Sequence, residues 1–279
     1  METPQQQFLD AVERIPAFPE SVQRVLTLAA DITCSPRDLI DVIKHDPIFT
    51  LKILRVVNSP FIGLAREIRT IEQAGVYLGL NTIKNMALNL AAVGVLPKKN
   101  KAGFDMARFW LHSLSVGVTA RKLAALRGAE PPYEEYFSAG LLHDVGKVVL
   151  ALYAPDQFIR ALALAREQHI HLHQAEQEIV GATHAEIGRM VAERWGLPQT
   201  LASGIALHHD EQEAESSEMA ACIQTADVVC KTLRLGFAGD PLTRPVGWDE
   251  DGPVNVKKLV EAMPDLKEEL DKARVFLQG

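Results

Sequence analysis

Cysteine, aromatic residues and surplus positive charge are all scarce in this chain of 279 residues. Its three cysteines, Cys34, Cys222 and Cys230, are odd in number and lack metal-type spacing. That argues against a disulfide framework and predicts reduced thiols, with Cys222 and Cys230 packed as small hydrophobes. Aromatic residues make up only 6% of the chain, and leucine, alanine and valine dominate instead, which favours helices over sheets. A net charge of −7 leaves no basic footprint for DNA and argues against an anionic membrane surface. No apolar run approaches the length of a membrane span. The opening METPQQQFLDAVERIP has neither the charged start nor the apolar centre of a signal peptide. We therefore expect a cytoplasmic protein of bacterial type that engages neither DNA nor membrane. Strand-period runs and internal repeats are absent as well, so the expected fold class is all-α.

What is present centres on Ser138 to Leu152, SAGLLHDVGKVVLAL. Leu141, Leu142, Val145, Val148, Val149 and Leu152 predict a largely buried helix, part of one running from Tyr133 to Tyr153. His143 and Asp144 place an imidazole and a carboxylate side by side in that run. Charges are rarely buried unless they are paired or hold a metal. Lys147 follows Asp144 by three residues and can share its face. Gly140 and Gly146 remove side-chain bulk on either side.

The rest of the chain reads as helices punctuated by caps and prolines. Residues 1–100 give short helices, among them 20–30, 48–58, 71–78 and 82–95, the last capped by Asn81. Lys98 to Lys101 is a polar connection and the expected lobe boundary. A second lobe, 101–235, carries longer helices. Residues 236–279 form a tail that opens with an exposed Gly/Pro/Asp-rich loop, Phe237 to Pro253, and ends in a helix pair broken at Pro264. The expected architecture is a two-lobed helical bundle.

Histidine and carboxylate suit zinc, iron, manganese or nickel. Among nine histidines, His112, His143, His184, His208 and His209 stand in apolar contexts, and Asp144 and Asp227 join them. Each alone has an ordinary reading as a hydrogen-bonded core residue, a cap or a helix end. Together they predict a shared site in a bundle core. His169, His171 and His173 alternate after a charged segment and read as a solvated helix end. His45 reads as another helix end.

At these residues the chain resembles the HD superfamily of metal-dependent phosphohydrolases. The order His112, His143-Asp144, His184, His208-His209, Asp227 is similar to the ligand pattern of its HD-GYP branch, and Glu176 stands where that branch often has an acidic ligand. The resemblance implies one or two ions: His112, His143 and Asp227 on one, His184, His208 and His209 on the other, Asp144 between them. It implies that Lys147 faces a phosphate, so that Asp144 and Lys147 would be the catalytic pair of an active enzyme. DPIFTLKILRVVNSPFIG, IPAFP, FWLHS, AGLLHDVGK and RWGLP resemble the HDOD (HD-related output domain) family more specifically. That family implies a bacterial signalling role, usually without demonstrated catalysis. The Gly-Tyr-Pro motif of the HD-GYP branch is missing; the acidic run from Asp210 to Glu218, read as a solvated loop, follows the two histidines instead.

Three functions are compatible with these residues. The favoured one is a regulatory module with a signalling protein partner, in which Asp46, Pro47, Asn58 and Ser59 hold turns and caps. The second is a receptor that binds a cyclic dinucleotide without cleaving it. The third is a phosphodiesterase with a dinuclear His/Asp site.

Overall fold

The computed structural model describes residues 4–30, 35–130, 132–210, 217–243, 245, 247–249, 252–253 and 255–278. Cys34 and residues 211–216 of the acidic run lie outside the described residues. The fold is all-α. A first group of helices comprises α1 (Pro4–Glu13), α2 (Glu20–Ala30), α3 (Pro36–Lys44), α4 (Pro47–Val57), α5 (Ile71–Leu78) and α6 (Leu80–Val95). A second comprises α7 (Met106–Arg127), α8 (Glu134–Leu142), α9 (Val145–Tyr153), α10 (Pro155–Gln168), α11 (Leu172–Ile179), α12 (His184–Arg194), α13 (Gln199–Leu207) and α14 (Glu218–Thr232). Two helices, α15 (Val256–Ala262) and α16 (Leu266–Ala273), and a 3-10 turn, Arg274–Leu277, form the tail. No described helix is long and apolar enough to cross a membrane.

Side-chain caps start many of these helices. Ser35 and Asp38 close a capping box on α3, with Pro36 in its first turn. Asp46 accepts from Phe49 N at 2.9 Å and from Ser21 Oγ at 2.7 Å, so it both caps α4 and ties it to α2. Asn58 bonds both the N–H and the C=O of Ile68, and Ser59 donates to Val56 O. The turn and cap roles expected of Asp46, Asn58 and Ser59 are thus filled. Asn81 is not a cap: α6 begins a residue earlier, behind Gly79, without a side-chain cap bond.

One apolar core continues from Phe8, Val22 and Ile83 to Leu114, Leu142 and Ile223, across the connection that holds Lys98 to Lys101. Within the second group α7 packs on α8 and α14, and α9 packs on α12. Cys222 and Cys230 are buried in this core, and burial pushes both thiols up to about 12. In a Cys34→Ser variant a thiol-specific disulfide reagent is expected to titrate no cysteine in buffer and both after denaturant. Fast native-state reaction would contradict their burial.

Besides Asn81, the structure departs from the sequence reading at three more points of the fold. The expected helix from Tyr133 to Tyr153 is broken at His143–Asp144, giving α8 and α9. Gly247–Asp249 and Gly252–Pro253 pair as a short antiparallel β1–β2 hairpin. The segment after α14 is not an exposed loop at its start: Ala238 and Asp240 are buried.

The tail clasps both helix groups. Phe276 is 2% exposed, and its ring centroid lies 5.5 Å from that of Phe61 and 5.1 Å from that of Phe137. Arg55 donates to Gln278 O at 2.9 Å, and Arg121 pairs with Glu269 at 2.9 Å. Phe276→Ala is expected to cost about 3–5 kcal/mol, the range for a deleted core aromatic, read as a lower urea midpoint. A loss under about 1 kcal/mol would mean the tail is loosely attached.

Candidate metal centre

The break at His143–Asp144 builds the site. It turns His143 off the end of α8 and leaves Asp144 at the N-cap of α9, where its side chain makes no capping bond. Both Asp144 oxygens are thereby left for other partners.

Glycines bring the remaining helices close enough to share it. A Cβ on Gly140 would lie 2.8 Å from Gly117 Cα, so α8 and α7 nearly touch, and His112 faces His143 with ring centroids 5.6 Å apart. A Cβ on Gly146 would lie 2.0 Å from His184 O, so α9 rests on the start of α12. Thr183 and Glu186 fix that start with a capping box.

Asp144 is the common member. Its Oδ1 is 3.1 Å from His184 Nε2 and 3.6 Å from His208 Nε2. Its Oδ2 is 3.3 Å from His143 Nε2 and accepts from Lys147 Nζ at 2.7 Å. Ligand-type atoms of Asp144, His184, His208 and His209 lie within 4.8 Å of one another, as do those of His112, His143 and Asp144. Asp227 falls outside the second circle. It touches His112, with Oδ1 3.1 Å from Nε2, and pairs with Lys231 through Oδ2 at 2.8 Å.

The imidazoles are oriented from behind. His143 Nδ1 lies 2.8 Å from Gly140 O, and His208 Nδ1 lies 2.6 Å from Ile205 O. A carbonyl can only accept, so both rings donate from Nδ1 and turn Nε2 inward toward Asp144. His184 Nδ1 is held by Glu176 Oε2, which also accepts from the His184 N–H at 2.8 Å. Glu176, expected near a ligand position, therefore acts as the buried support of His184. Such outer partners fix ligand orientation in metal sites.

Five buried atoms in the cluster, His112 Nε2, Asp227 Oδ1, Asp144 Oδ1, His208 Nε2 and Glu176 Oε1, make no well-aligned hydrogen bond, although the first four lie in the ion-pair contacts described above. Buried polar atoms without a hydrogen bond are costly, and a divalent cation would satisfy them. His184 Nε2 and His209 Nε2 approach to 2.9 Å, which a shared ion would also satisfy. Protonation states agree with ligation. Burial drives the His208 ring down to about 4 and keeps His112 and His209 below the usual histidine value. Burial opposes the Asp144 charge, but His143 and Lys147 hold its carboxyl well below the ordinary range. At His184 burial opposes the charge, yet Glu176 and Asp144 lift its pKa, so an ion there would take the place of a proton. An all-N/O donor set without thiolate suits zinc, iron, manganese or nickel.

Some neighbours were not legible in the sequence. His171 and His173 are not a solvated end. Their rings stack 5.6 Å apart, and His173 stacks on His209 at 4.4 Å. Lys231 and Asp240 stand behind Asp227: Asp240 Oδ2 lies 3.6 Å from Lys231 Nζ and 3.2 Å from His171 Nδ1. Lys231 had a signal, since it follows Asp227 by one helical turn. Asp240 had none.

The HDOD domain matches residues 15–211. The chain belongs to the HDOD family. An HDOD domain protein from Geobacter sulfurreducens has a similar solved structure, with a TM-score of 0.76 and 26% identity over 97% of this chain and 98% of that one. A candidate phosphohydrolase from Shewanella amazonensis SB2B shares the fold, with a TM-score of 0.73 and 23% identity over 97% and 98% of the two chains. A protein of Treponema pallidum (strain Nichols) is 25% identical over 226 residues, 81% of this chain and 43% of its own. The chain spans less than half the length of the curated relatives it matches. Asp227 and Lys231 lie beyond the matched HDOD segment, yet they complete the wall of the site.

Proposed function

We propose that this HDOD protein is a signal-transduction module in which a buried divalent-metal centre fixes the shape of a recognition surface, and that it binds its ligand or protein partner without turnover. The closure of the centre carries this reading. His112, His143, Asp144, His184 and His208 are each no more than 2% exposed. Lys147 is 1% exposed and bonded to Asp144, so it acts as the counter-charge of that carboxylate and has no path to an incoming phosphate.

His112, His143 and Asp144, with Asp227 beside them, would hold one ion. Asp144, His184, His208 and His209 would hold another. Bound ions of this kind supply Lewis-acid chemistry. In the proposed module Glu176 and the carbonyls of Gly140 and Ile205 orient the rings, and Lys231 neutralises Asp227. The complete ligand set favours the competing reading, a metal-dependent phosphodiesterase.

The test is turnover by metal-loaded protein. Untagged protein incubated with manganese or iron is expected to retain the ion by elemental analysis. It is expected to release no nitrophenol from bis-para-nitrophenyl phosphate and to leave a cyclic dinucleotide intact. Turnover that disappears in His143→Ala would establish the hydrolase instead. Failure of every divalent ion to load would remove the metal from the reading.

A further inference from the structure

A separate recess opens beside the centre, between α7, the end of α14 and the strap that follows it. Arg108, Arg234, Lys231, His112, Phe237 and Asp240 line it. Its volume of about 350 Å³ lies in the range of small-molecule sites. We propose that this recess binds a phosphoryl dianion, as inorganic phosphate or as a phosphate monoester. The proposal rests on the binding-without-turnover reading and deepens it by naming the ligand class, held beside the metal ligands by arginines.

The charge of the lining points to an anion. In a chain of net charge −7, this recess gathers two arginines and a lysine. Neither Arg108 nor Arg234 faces a carboxylate partner among the described residues, and Arg108 stacks only on the Phe237 ring, 5.0 Å from its centroid. Asp240, the carboxylate of this lining, has both oxygens engaged. Oδ1 accepts from Leu242 N at 2.9 Å; Oδ2 meets His171 Nδ1, Leu172 N and Lys231. Lys231 is in turn held by Asp227. The two guanidinium groups are therefore the ones left to bind a ligand, and guanidinium matches the geometry of phosphoryl oxygens.

The recess is built before any ligand arrives. Phe237 N donates to Arg108 O at 3.0 Å. Gly236, at φ +75°, lies so close to α7 that a Cβ would sit 2.3 Å from His112 N. The strap is thus pinned to α7, and the guanidinium of Arg108 is steadied over Phe237.

Arg234 is held in place by the close of α14. It sits at φ +55° just past the end of α14, where Leu235 N reaches back to Cys230 O at 2.9 Å. That closing position favours glycine, and a branched-out side chain there carries a steric cost.

The experiment uses the full chain stripped with EDTA, titrated calorimetrically with inorganic phosphate, adenosine monophosphate and acetate. Phosphate and the nucleotide are expected to bind, and acetate to bind far more weakly. Tighter binding of the nucleotide would identify a monoester as the ligand; equal binding would identify phosphate itself. Arg234→Gly is expected to weaken binding at least about tenfold, the loss of a charge-assisted contact, with a melting temperature equal to or above that of the wild type. Arg108→Met, which keeps the stem over Phe237, is expected to weaken it similarly. Phosphate should also protect both arginines from phenylglyoxal. Equal binding by wild type and variants, acetate binding as tightly as phosphate, or binding that appears only after manganese loading would each overturn the proposal. Because the titration is done without metal, failure of metal loading leaves its outcome unchanged.

Discussion

Asp144→Ala is expected to abolish metal retention and to cost about 3–5 kcal/mol of stability. Two effects act together. The carboxylate common to both groups of ligand atoms is removed, so neither group keeps its anionic member. Lys147, 1% exposed and bonded to Asp144 Oδ2, is left as a buried cation without its partner. Asp144→Asn separates the two effects. It keeps the shape and an oxygen for Lys147 but loses the charge, so it should unfold at a higher urea concentration than the alanine variant while still failing to retain metal. Elemental analysis and urea titration of both variants are the measurement. An alanine variant with wild-type metal content would place the ion elsewhere.

The second large effect is expected at Gly146. Its Cβ would meet His184 O at 2.0 Å and Gly188 N at 2.9 Å, both backbone atoms, so no rotamer change can relieve the clash. Gly146→Ala must push α9 from α12, carrying Asp144 away from His184. We expect at least about 3 kcal/mol of destabilisation together with loss of bound metal. Gly94→Ala is the control. That glycine is exposed within α6, and a Cβ there meets nothing closer than Lys52 Nζ at 3.9 Å. It should be neutral or stabilise by up to about 1 kcal/mol. Equal behaviour of the two variants would mean that the contact between α9 and α12 can relax.

Much of this was readable from local chemistry. Ile71–Leu78 is bounded as expected because Thr70 caps one end and Gly79 stops the other. Pro155 marks a helix start by standing in its first turn, and Ser217 marks another by accepting from Ala220 N. The ligand residues stood out because polar groups in apolar runs need partners, and the structure brings His112, His143, Asp144, His184, His208 and His209 together. What local chemistry does not encode is long-range placement. The break at His143–Asp144 has no glycine or proline at the break itself; the packing of α9 on α12 and the convergence of side chains on Asp144 accompany it. His173 reaches the site because α11 packs on α12, and spacing along the chain gives no hint that its ring meets His209. Asp240 arrives on the strap through a backbone contact at Gly236, invisible to any periodicity.

The aromatic contact of the tail has a practical consequence for dissecting the protein. The HDOD match ends at residue 211, and a fragment cut there would lack α14, α16 and Phe276. It would lose Asp227 and Lys231 and bare the faces of Phe61 and Phe137 that Phe276 covers, an adhesive surface in water. A fragment meant to fold is therefore expected to need α14 and Phe276 as well as the segment by which the family is recognised.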